Sequence, residues 1–87
     1  MDHTHVRKTI ISLLKEIDRD LDDKVLAGRD YLFREIGLDS LSMIRLVVTV
    51  EDRFGIRISE HEAYSASSIA RLVDLVRGKV HHGMQEA

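Results

Sequence analysis

The chain has 87 residues, is 44% hydrophobic, carries a formal net charge of −2 and contains no cysteine. That length suits one domain with a thin core, and the missing cysteines exclude disulfides and thiolate metal sites. The charge lacks the basic excess of a nucleic-acid binder, no apolar run reaches the roughly 20 residues of a membrane span, and "MDHTHVRK" has no signal-type apolar region.

In chain order, Val6, Ile10, Leu13, Leu14, Ile17 and Leu21 recur at three- and four-residue spacing, which predicts a helix from Val6 to Leu21 with Thr4 or Asp2 as its cap. Asp22 to Asp39 reads as a connection, long for a compact domain. Within it, Asp30 is placed to cap one or two helical turns over residues 31–36, ended by Gly37. Tyr31, Leu32, Phe33 and Ile36 are expected to hold this loop on the core. Ser40 to Phe54 contains four consecutive β-branched residues, Val47 to Val50, which alone would suit a strand. Its length, the cap-type pair Asp39 and Ser40, and Gly55 at the far end favour a helix. Ser59-x-x-Glu62 has the capping-box form and predicts a short helix to about Tyr64. The last helix carries Ile69, Leu72, Val73, Val76 and Val80 on its inner stripe, with Ser67 or Ser65 as cap; His81 to Ala87 reads as a tail.

The expected fold is all-α: a small four-helix bundle of three longer helices and one short one, with a long loop between helices 1 and 2. It fills a single domain over residues 1–87, ordered over about 5–80 with a tail at each end. With no repeat and no flanking linker, a free-standing monomer is expected, and the missing cysteines fit the cytoplasm.

On a wheel of about 100° per residue, Met43, Leu46, Val47, Val50 and Phe54 form the core arc of the central helix. Leu41, Ile44 and Val48 form a second stripe roughly 140° away. Either both stripes are buried inside the bundle, or the second is exposed and meets a partner. Ser40 lies between the two, near Glu51, while Arg45 and Asp52 border the second stripe. From "DSL" alone Ser40 is a helix cap. A serine nucleophile needs a positioned base, and none of the five histidines (His3, His5, His61, His81 and His82) is placed near Ser40 by a motif. No enzyme activity and no metal site are expected.

"LFREIGLDSL", an amphipathic helix ending in "EDRFGIRIS", and then "SSIARLVDLV" follow in order. Together they resemble the acyl carrier protein family from about Val6 to Val80. Gly37-Leu38-Asp39-Ser40-Leu41 is the most specific part, supported by its spacing to Phe54-Gly55 and to Ile56 and Ile58. The resemblance implies that Ser40 carries a 4′-phosphopantetheine arm, added from coenzyme A by a phosphopantetheinyl transferase in a magnesium-dependent step. The thiol of the arm would hold acyl groups as thioesters for acyl-loading and acyl-using enzymes. Asp39 would take part in transferase recognition. Leu41, Ile44 and Val48 would form the apolar partner surface, with Arg45, Glu51 and Asp52 as its charged border. A phosphodiester at a helix N-terminus would meet free amides and the positive end of the dipole.

One feature departs from the family. Fatty-acid carriers have a strongly acidic helix after the serine, whereas residues 40–54 hold Arg45 and Arg53 against Glu51 and Asp52 and sum to zero. The expectation is a dedicated pathway, polyketide or related specialised biosynthesis, whose partners are not strongly basic at the dock. An aminoacyl or peptidyl cargo on the same fold stays open, as does a helical interaction module in which Ser40 is only a cap.

Overall fold

Among the described residues there are four helices and no strand. The computed structural model describes residues 3–21 and 30–86, with side chains over 4–21 and 30–80. The helices are α1 (His3–Ile17), α2 (Ser40–Phe54), α3 (Glu60–Ser65) and α4 (Ile69–Glu86). The order and relative lengths are those expected from the apolar periodicity.

Helix α1 packs on α2 and α4 and buries Val6, Ile10, Leu13 and Leu14. It starts earlier and ends earlier than its periodicity suggests. Thr4 lies inside it and is not its cap, and Asp2 falls outside the described residues. At the other end the Asp18 carboxylate accepts the Asp20 amide at 3.1 Å. The Leu21 amide turns back to the Asp18 carbonyl at 3.3 Å. That side-chain turn competes with another helical turn and replaces it.

Residues 22–29 of the long connection lie outside the described residues, and its second half is stapled to the start of α4. Asp30 does not cap its own turn; its carboxylate accepts the Ala70 amide at 3.0 Å. The Phe33 amide donates to the Ser67 carbonyl at 2.8 Å. Glu35 takes over the local capping by accepting the Leu32 amide at 2.7 Å. Phe33 and Leu38 are buried, with Tyr31, Leu32 and Ile36 half-buried beside them.

The β-branched run of α2 is helical. Leu46 and Val50 enter the core, while Met43, Val47 and Phe54 pack half-buried at its edge. The Thr49 hydroxyl finds a local partner in the Arg45 carbonyl at 2.7 Å, as helical threonines do. Gly55 closes the helix in the left-handed region at φ 65°, a conformation that glycine adopts without steric cost.

Helix α4 is capped by Ser68, not by Ser67 or Ser65: the buried Ser68 hydroxyl accepts the Arg71 amide at 3.3 Å. Ile69, Leu72, Val73 and Val76 complete the core. The helix continues through Gly78 to Glu86, where a tail is expected from the sequence. A helical glycine costs only about 1 kcal/mol, and the next residue, Lys79, is anchored by an ion pair to Glu62 at 2.9 Å. Glu62 is also half of the predicted capping box with Ser59. The Ser59 amide bond, and then Lys79, hold the Glu62 carboxyl below its usual range.

Leu46→Ala removes a fully buried side chain and should cost roughly 2–5 kcal/mol in urea unfolding. Ile44→Ala, on the exposed stripe, should stay within about 0.5 kcal/mol. A carboxyl lowered on folding stabilises the protein above its unfolded value and loses that contribution as pH falls through its folded value. The difference in Tm between wild type and Glu62→Gln should therefore shrink as pH falls below about 4.3, followed by circular dichroism from pH 6 to pH 2.5.

Candidate functional site

Residues 33–41 form a turn, a cap and a helix start in immediate succession. The turn closes through the Gly37 amide to the Arg34 carbonyl at 3.2 Å and the Leu38 amide to the Phe33 carbonyl at 3.1 Å. Gly37 sits at φ 88°, where only glycine is unstrained. Asp39 is extended, at φ −84° and ψ 178°, and its carboxylate accepts the Ser42 amide at 2.8 Å. Asp39 is thus the N-cap, and the reading of Ser40 as the cap is corrected.

Ser40 is the first helical residue, exposed, and its hydroxyl makes no hydrogen bond among the described residues. The amides of Ser40 and Leu41 also find no protein acceptor there, because Asp39 takes only the third amide of the helix. An exposed hydroxyl flanked by two open amides at a helix N-terminus suits a phosphodiester oxygen. The residues present therefore fit a phosphate-linked group on Ser40. The Asp39 carboxyl is held below its usual range, first by the Ser42 backbone bond and then by the Ser42 side chain, with Arg45 adding a weaker attraction.

Both helices that border this region start on the same device. Leu38 precedes the Asp39 cap and Met43 lies at the fourth helical position; Ile58 precedes the Ser59 cap and Ala63 lies at the fourth. All four belong to the core or pack against it, which is the hydrophobic-staple arrangement. The burial of Leu38 and Ile58 is not foreseen from the sequence, although this spacing around each cap signals it.

The predicted recognition residues divide into two sets. Leu41, Ile44 and Val48 stand 58%, 60% and 49% exposed on α2, with Arg45 and Asp52 exposed along their border. Glu51 is half-buried, and its carboxylate is turned to the Ile58 amide at 2.8 Å, so it braces the segment between α2 and α3. A groove of about 920 Å³ runs from Asp39 and Ser40 between α2, α3 and the turn, floored by Phe33, Leu38, Met43, Val47 and Ile58. Tyr64, 79% exposed, stands on its α3 side. No three His, Asp or Glu side chains converge on a metal site among the described residues. Nor is any helix there long and apolar enough to cross a membrane.

Comparison with known proteins agrees with this geometry. A family model described as "Phosphopantetheine attachment site" matches residues 6–76. The chain is 29% identical over 76 residues to mitochondrial acyl carrier protein 2 of Arabidopsis thaliana, covering 87% of this chain and 60% of that protein. It is 31% identical over 84 residues to chloroplastic acyl carrier protein 1 of Spinacia oleracea, covering 84% and 61%. It therefore spans about three fifths of the length of these relatives. The crystal structure of an acyl carrier protein from Thermotoga maritima superposes with a TM-score of 0.69 at 30% identity, over 93% of this chain and 98% of that one. The chain belongs to the phosphopantetheine-attachment family of acyl carrier proteins, whose prosthetic group is covalent 4′-phosphopantetheine.

Proposed function

We propose that this protein is an acyl carrier with Ser40 as its attachment point, serving polyketide or related specialised biosynthesis as a cytoplasmic monomer with no catalysis of its own. The observation that carries this reading is the division of work at the start of α2. Asp39 caps the helix, which leaves the Ser40 hydroxyl exposed and unengaged beside two open amides. A phosphopantetheinyl transferase would add the arm there from coenzyme A, with Asp39 as part of what the transferase reads. When attached, the arm supplies a thiol that holds an acyl group as a thioester.

The chain's own residues give that arm a fixed root. Asp39, Leu38 and the Gly37 turn hold Ser40 in place, and the open amides of Ser40 and Leu41 can hydrogen-bond the phosphate. The adjoining groove offers an apolar bed to cargo. The zero net charge of residues 40–54 supports a dedicated pathway and not general fatty-acid synthesis.

Intact mass after incubation with coenzyme A, magnesium and a broad-range transferase should rise by one phosphopantetheinyl group in the wild type and stay unchanged in Ser40→Ala. An unchanged wild-type mass, with the same transferase loading a known carrier, would overturn the proposal in favour of an interaction module.

A further inference from the structure

An enzyme that receives what Ser40 carries must settle on the surface around the start of α2. That surface is apolar. Leu41, Ile44 and Val48 form one exposed stripe running away from Ser40. A contiguous exposed apolar stripe beside a functional residue marks an interaction site.

The charges around the stripe are sorted by the fold. Asp39 and Glu51 keep their negative charge, but each carboxylate is tied to a backbone amide of this chain, Ser42 and Ile58 respectively, which fixes where that charge sits. Arg45 and Asp52 are different: both are exposed, and neither makes an ion pair among the described residues. They lie seven residues apart on the same side of the stripe, about 10 Å along the helix axis, with Arg45 nearer Ser40. Past the Asp39 cap, the exposed border of the ridge therefore reads, going away from the serine, as a cation and then an anion.

Resting on the carrier reading above, we propose that the partner enzymes dock here with a carboxylate against Arg45 and a cation against Asp52, around an apolar recess that takes Ile44 and Val48. The two opposite charges fix the direction in which α2 lies across the partner. A dock that is basic throughout is repelled by Arg45, the first charged residue of the helix past the Asp39 cap, so enzymes of other pathways are rejected there.

The test is a charge swap. The probe is a condensing enzyme with a basic carrier dock, used unchanged and with its dock cation nearest the carrier serine replaced by glutamate. Wild-type and Arg45→Glu carriers are loaded at Ser40 with a pantetheine analogue that captures the condensing enzyme's active-site cysteine. Intact mass confirms the arm on each. Opposite-charge pairs should crosslink about ten-fold faster than like-charge pairs. Loaded carriers whose four rates agree within about two-fold would overturn the dock while leaving the carrier reading intact. A wild-type chain that never gains the arm would overturn both. A chain that sediments as a dimer at micromolar concentration, and as a monomer with Ile44→Asp, would give the face to a second copy and also overturn the dock.

Discussion

The Asp39 carboxylate closes on the Ser42 amide at 2.8 Å, and in doing so separates two jobs that either residue could perform. Aspartate and serine are both good helix caps. Had Ser40 been the cap, its hydroxyl would be spent on a backbone amide and the helix would start one residue later. With Asp39 as the cap, Ser40 becomes the first helical residue and its oxygen stays free. The orientation of α2, the exposure of the serine and the direction of the apolar ridge all follow from that register.

The cap holds because the chain before it cannot slide. Gly37 turns the backbone, Leu38 is buried immediately after it, and Phe33 is buried immediately before the turn. The Phe33 amide and the Asp30 carboxylate tie the segment to Ser67 and Ala70. Those bonds link residues far apart in sequence, forty positions for Asp30 and Ala70, so the site's rigidity comes from the start of α4 as much as from its own loop. One apolar core, shared by α1, α2 and α4, supports both ends of this arrangement.

Much of this was legible in the residues. Periodicity located the longer helices, Gly55 and the Ser59–Glu62 box marked two boundaries, and the family resemblance carried by Gly37 to Leu41 singled out Ser40, which spacing alone makes a cap. What could not be read was which of several chemically equal neighbours does a given job. Asp39 and Ser40 compete for one cap, and Ser65, Ser67 and Ser68 for another. Local sequence scores them alike, and packing decides between them. Asp30 has the sequence position of a local cap, whereas its acceptor role lies across the fold at Ala70, and no spacing rule reaches that far. The same limit applies to Glu51: a wheel places the side chain near the ridge but cannot show that the Ile58 amide claims its carboxylate.

The two sides of the groove are built to different standards of firmness. The α2 side is pinned by Leu46 and Val50, both fully buried. Helix α3 has six residues and no buried side chain; its hold on the molecule is a capping box, the staple through Ile58, buried Ala66 after its end, and one ion pair to Lys79. Segments with few buried apolar contacts move at low free-energy cost. The groove is thus bounded by a firm wall on the side that bears the serine and by a weakly held one opposite, and Ile44 and Val48 belong both to its lining and to the exposed ridge.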